Sequence, residues 1–150
     1  MPGTYTKLYY HIVFSTKHRK PLITDVIELE LHKYINGIIR NIEGTCIEIN
    51  GTTDHLHILA IIPPKTSISD ALRSIKAGSS KWIHESKPTL ASFTWQDGFA
   101  AFTVSASQVE SVRNYVRNQK SHHQSSDYKT ELIGLLDKHA VEYDDRYLWD

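Results

Sequence analysis

A chain of 150 residues, 40% hydrophobic and 23% charged, is long enough to bury a core and too apolar for disorder, so residues 1–150 are read as one domain. Seventeen basic residues balance seventeen acidic ones, which argues against a protein that holds nucleic acid by bulk charge but leaves room for local basic patches. Cys46 is the only cysteine, which excludes an internal disulfide and a thiolate metal cage. No apolar run nears the roughly 20 residues of a membrane span. Met1 to Phe14 alternates without a signal-peptide core. A cytoplasmic protein with no membrane contact is expected.

Tyr5 to Ser15, rich in Tyr, Ile, Val and Phe, reads as a strand. Asp25-x-x-Glu28 has the form of a capping box. Ile27, Leu31, Tyr34, Ile35, Ile38 and Ile42 then recur at helical spacing until Gly44. Thr45 to Asn50 reads as a second strand, turning at Asn50-Gly51 into a third over His55 to Ile62. Pro63-Pro64 ends it, and Ser67-x-x-Asp70 opens a helix to about Glu85. Short strands follow near Phe93–Gln96 and Ala101–Val104. Ser107-x-x-Glu110 is expected to cap a third helix through about His123, and a last helix covers about Lys129–His139. The order β-α-β-β-α-β predicts an α+β, ferredoxin-like (RRM-like) antiparallel sheet with helices on one face and an additional C-terminal, tyrosine-bearing helix. The other face is expected to lie free.

Asp54-His55-Leu56-His57 is the most informative motif. Side chains two apart on a strand share a face, so His55 and His57 stand side by side and can hold a divalent metal. Two imidazoles leave room for a further ligand. On the third helix, Val109, Val112 and Val116 form an apolar seam, with Tyr115 and Gln119 together at its edge. Gln119 offers a neutral oxygen of the kind Mg²⁺ or Mn²⁺ accepts. On residues alone a His-x-His pair is as readily structural as ligating, a helical tyrosine more often packs than reacts, and periodicity does not select Tyr115 over Tyr5, Tyr10 or Tyr128. Strand alternation points Asp54 away from His55, as a turn or supporting residue.

Several blocks resemble the single-tyrosine, histidine-hydrophobic-histidine (HUH) transposases of the IS200/IS605 type: His11-Ile-Val-Phe-Ser-Thr-Lys-His-Arg-Lys-Pro-Leu22, Asp54-His-Leu-His-Ile-Leu59, Ser79-Ser-Lys-Trp-Ile83, Trp95-Gln-Asp-Gly-Phe-Ala-Ala-Phe-Thr-Val-Ser105, Tyr115-Val-Arg-Asn-Gln-Lys-Ser-His-His123 and Tyr143-Asp-Asp-Arg-Tyr-Leu-Trp-Asp150. The resemblance implies His55, His57 and Gln119 as metal ligands and Tyr115 as nucleophile. It also implies a homodimer in which the tyrosine helix of one subunit completes the metal site of the other; the sequence by itself does not choose between that placement and one within a single chain. The substrate it implies is single-stranded DNA with hairpins at the ends of an insertion sequence, cleaved and rejoined through a 5′-phosphotyrosine. One departure stands at Gly98-Phe-Ala-Ala-Phe102, where Gly-Tyr-Gly-Ala-Phe is more usual; Ala100 loses glycine's backbone freedom.

Transesterification conserves phosphodiester bonds, so no nucleotide cofactor is expected, in keeping with the lack of a G-x-x-x-x-G-K-[ST] loop. The strands carry few acids, which disfavours a two-metal carboxylate nuclease. Arg19, Lys20, Lys76, Lys81, Trp82 and Arg117 are candidate DNA contacts, though each basic patch reads equally as a solvated face and Trp82 more readily as core. Two other readings are a domesticated relative acting on dispersed palindromes and a non-catalytic RRM-like nucleic-acid-binding module.

Overall fold

The computed structural model describes residues 2–149. Its strands are β1 (Tyr9–Ser15), β2 (Thr45–Gly51), β3 (His55–Ile61) and β4 (Ala100–Val104), and its helices α1 (Asp25–Asn41), α2 (Ile68–Ser86), α3 (Val109–Arg117), α4 (Gln119–His122) and α5 (Tyr128–Lys138). The strands form one antiparallel sheet in the order β2-β3-β1-β4, the ferredoxin-like arrangement. Among the described residues no helix is long and apolar enough to cross a membrane.

Strand alternation divides the two central strands between two environments. Ile12 and Phe14 of β1 and Leu56, Ile58 and Ala60 of β3 turn to one face. There they pack with Leu31, Ile35 and Ile39 of α1 and Leu72, Ile75 and Ile83 of α2. Trp95 closes this core, its ring edge-on to Phe14 and Phe93 and its indole N–H donated to Ser79 Oγ at 3.0 Å. The alternate residues His11, Val13, Ser15, His55 and His57 turn to the opposite face. The sequence left that face free. In the structure Val13 and Phe102 pack there beneath Tyr128, Leu132 and Leu136 of α5, and α3 and α4 lie beside them. The apolar seam of α5 has to bury somewhere, and this face is what the first two helices leave.

Other local expectations are revised. Thr24, not Asp25, precedes α1, and neither it nor the residue before α3 makes a side-chain cap; Ser107 falls in a 3-10 turn (Ala106–Gln108). Ser67 does cap α2, accepting from the Asp70 N–H. Phe93–Gln96 is not a strand, and only an isolated bridge joins Thr16 to Trp95. The β2–β3 turn is Thr52-Thr53-Asp54, with Gly51 still paired to Leu56. Gly51 is required there because a Cβ would lie 2.1 Å from the His55 carbonyl oxygen. The third helix breaks at Asn118. Ala100 opens β4 opposite Val13 without a positive φ, so the departure at Gly98–Phe102 leaves an ordinary strand.

Candidate catalytic and metal site

β3 presents His55 and His57, both fully buried, on the face roofed by α3, α4 and α5. Each imidazole is held from behind. His55 Nδ1 donates to Asp54 Oδ1 at 2.8 Å, and Thr52 Oγ1 donates to the same oxygen at 2.9 Å. Asp54 thus supports His55 from the turn; it is not part of the strand alternation that pointed it away. His57 Nδ1 lies 2.8 Å from Nε2 of His11, which stands on the same face of β1 two residues from Val13, the partner of His57 in register. These contacts aim both Nε2 atoms into the same space, the carboxylate–histidine arrangement that supports metal ligands.

Four groups from the roof enter that space. Gln119 Oε1 lies 3.1 Å from His55 Nε2, while its amide N–H donates to Glu131 Oε2 at 2.8 Å. Glu131 Oε1 lies 2.9 Å from His57 Nε2, 2.9 Å from His123 Nε2 and 3.3 Å from His55 Nε2. Tyr115 donates its phenolic proton to Glu131 Oε2. His55, His57 and Glu131 offer ligand atoms all within 4.8 Å of one another.

This donor set suits a cation. With Nδ1 committed to Asp54, a neutral His55 points a lone pair at two oxygen acceptors, Gln119 Oε1 and Glu131 Oε1. A positive charge between them removes the conflict. Burial lowers the His55 pKa, but the Asp54 and Glu131 carboxylates outweigh it and raise it. Burial also raises that of Glu131, yet hydrogen bonds from His55, His57 and Tyr115 hold it well below the carboxylate range. His57 is pushed down to about 4, first by burial, and stays neutral as a ligand must. Two imidazoles, a carboxylate and an amide oxygen form a set that Mg²⁺ or Mn²⁺ accepts. Tyr115 is pushed up, by burial and then by Glu131, and so remains a phenol beside the carboxylate.

Tyr115, Gln119, His55 and His57 therefore converge within one chain. Sequence reasoning missed Glu131, His123 and His11. The available signal was an acid set beside the apolar seam of α5, Leu132, Leu135 and Leu136. Glu48, isolated in the sequence, pairs with Arg113 at 3.1 Å and Arg117 at 3.2 Å. A bulge between Cys46 and Glu48 precedes this contact. Lys120 of α4 bonds Glu28 of α1 and Asn50 and Gly51 of β2, so α4, which follows the tyrosine helix, is pinned to the edge of the sheet. Burial pushes the Cys46 thiol up to about 11, leaving it unreactive.

The candidate DNA contacts are dispersed. Lys76, Lys81 and Trp82 stand on α2, behind the sheet. Lys76 Nζ binds the carbonyl oxygens of Gln96, Asp97 and Gly98 and so secures the loop before β4. Trp82 stacks on Tyr34 of α1 with ring centroids 5.3 Å apart. Lys81 and Lys20 are exposed. Arg19, in a turn with left-handed φ at His18 and Arg19, reaches the Trp149 carbonyl at 3.3 Å and lies over its ring.

A ferredoxin-like sheet carrying paired histidines under a tyrosine helix belongs with the DNA-processing enzymes of the transposase class. The chain is a member of the family described as "Transposase IS200 like", whose model matches residues 4–119. The transposase for insertion sequence element IS200 of Salmonella typhimurium is 27% identical over 119 residues, which are 73% of this chain and 75% of that protein. The ISDra2 transposase TnpA of Deinococcus radiodurans is 21% identical over 122 residues, 78% and 87% of the two chains. Among solved structures, a Deinococcus radiodurans protein described as a transposase superposes with a TM-score of 0.66 at 22% identity, covering 79% of this chain and 95% of that one. A REP-associated tyrosine transposase bound to a REP hairpin gives 0.60 at 17% identity, covering 82% and 73%.

Proposed function

We propose that this chain cleaves and rejoins single-stranded DNA through a 5′-phosphotyrosine on Tyr115, at hairpin-bearing ends of an insertion sequence. The observation that carries this reading is the convergence of the Tyr115 phenol, the Gln119 amide and both imidazole Nε2 atoms on Glu131. His55, His57, Gln119 and Glu131 would hold the divalent ion. When bound, it supplies a positive charge that polarises the scissile phosphate and stabilises the departing oxygen.

The phenol oxygen of Tyr115 attacks phosphorus and the bond to the 3′ oxygen breaks, leaving a free 3′-OH and a 5′-phosphotyrosine. A second 3′-OH reverses the exchange and frees the tyrosine. Glu131 accepts the phenolic hydrogen bond and so aims the attacking oxygen. Gln119 fixes Glu131 through its amide, and Asp54 and His11 fix the two imidazole rings. Burial of both rings keeps competing water away from the phosphorus.

The hairpin substrate draws support from the REP-hairpin complex of the structural relative. That likeness also supports a second reading within the same chemistry, a relative acting on dispersed palindromes. Flanking element ends around the gene separate the two. An RRM-like module would need an open sheet face, and here α5 covers it. The homodimer is part of this reading: Tyr115 and Gln119 stand beside the histidines of their own chain, and exchange of the tyrosine helix between two chains would build the same set of groups. The test is a denaturing gel with a labelled hairpin oligonucleotide and Mn²⁺. A covalent adduct is expected with the parent protein and none with Tyr115→Phe, which should still bind the hairpin. An adduct that persists in Tyr115→Phe overturns the assignment.

A further inference from the structure

A cavity of about 560 Å³ borders Tyr115 and takes no part in the site described above. β4 and the turn after it, α3 and α5 enclose it, with buried His11 at its inner end. We propose that it is a nucleotide subsite, taking one of the nucleotides that flank the scissile phosphate. The proposal rests on the strand-transfer reading for that placement.

Once Tyr115 is bonded to phosphorus, the attached sugar and base lie within a few bonds of the phenol oxygen, so a flanking nucleoside must occupy space that Tyr115 borders. Tyr115 also borders a depression of about 270 Å³, half the size and containing the Glu131 carboxylate, which repels a phosphodiester. The larger cavity holds no Asp or Glu among the described residues that line it; Lys138 borders both, and only in the larger one is its charge unopposed by a lining carboxylate. Its volume falls in the range of small-molecule sites.

Its chemistry is divided as a nucleotide requires. Val112 and Leu135 offer apolar surface to the faces of a base. Gln108 and Ser111 offer amide and hydroxyl groups to its edge, β4 borders it at Thr103, and Lys138 reaches a phosphate. His11 joins the cavity to the metal cluster, since its Nε2 lies 2.8 Å from His57 Nδ1. A base seated against His11 therefore presses on the group that orients a ligand histidine.

The test titrates the full-length protein with dAMP, dCMP, dGMP and dTMP and follows the His11, Thr103 and Lys138 resonances by NMR. Saturable shifts at these residues are expected, differing among the four bases. Ser111→Trp, an exposed position whose new ring fills the cavity without entering the core, should weaken the binding at least about tenfold, the size of one good base-edge contact. Gln108→Ala should change the ranking of the bases. Shifts confined to other surfaces, or Ser111→Trp binding as the parent does, overturn the subsite. The adduct assay is scored separately. Nucleotide binding with no adduct sinks the strand-transfer reading alone, and an adduct without nucleotide binding sinks the subsite alone.

Discussion

The two faces of the sheet are built from alternate residues of the same two strands, yet they do different work. Ile12, Phe14, Leu56, Ile58 and Ala60 meet α1 and α2 in an apolar core. His11, His55 and His57, one residue out of step, meet α3, α4 and α5 in a network of imidazoles around one carboxylate. The first face is held by burial, a non-directional force that tolerates any well-packed set. The second is held by hydrogen bonds with defined donors and acceptors, where removing one partner strands the others. A shift of register by one residue would exchange the two faces, so β1–β3 pairing is where fold and chemistry are coupled.

The sharpest way to break the comparison is to remove chemistry without touching the core. Tyr115→Phe deletes one oxygen and should abolish the covalent adduct while leaving the melting temperature within a few degrees of the parent. Adjacent positions of β3 should then part company. His57→Ala is expected to lose divalent-ion binding by more than about a hundredfold, measured by Mn²⁺ titration. Ile58→Ala should lower stability by about 2–5 kcal/mol, the range for deleting a buried aliphatic side chain, and leave ion binding in the folded protein unchanged. If Ile58→Ala costs ion affinity as His57→Ala does, the faces are not independent.

Smaller effects test the support behind the histidines. Asp54→Asn keeps the shape but removes the charge behind His55, and should weaken ion binding by about 10–100-fold. A pH series on metal-free protein reads the polar face through proton linkage. Burial holds His11 down to about 3 and His57 down to about 4, so both are neutral in the fold. The unfolded chain protonates them near 6.5, binds more protons below that pH, and stability falls as pH drops from about 6.5 towards 4. His55 runs the other way. Burial lowers its pKa, but Asp54 and Glu131 raise it to about 9, so its contribution is complete below 6.5 and lost as pH rises through 9. Calorimetry should find the highest melting temperature near pH 6.5, and a profile still rising from pH 6.5 to 9 would contradict the His55 assignment. The smallest expected change is Lys81→Ala: on α2, behind the sheet, it should alter hairpin affinity less than about threefold if the polar face alone meets DNA.

The histidine pair, the α1 and α2 seams, the β2–β3 hairpin and the Tyr115–Gln119 stripe were legible because each is local. Period 2 or period 3.6 sets them within a few residues. The strand expected at Phe93–Gln96 was misread because an apolar run looks alike whether it pairs or packs. Its Phe93 and Trp95 are core side chains on a loop. The helix break at Asn118 carries no Gly or Pro to announce it.

By itself the sequence determined which side chains share a face, since alternation along one strand follows from backbone geometry. Only the tertiary structure decided what meets them. Glu131 lies 74 residues beyond His57, and the two come within 2.9 Å because α5 buries Leu132 and Leu136 against Val13 and Phe102. Hydrophobic docking of a distant helix carries the carboxylate to the imidazoles, and no local period records where a helix will dock.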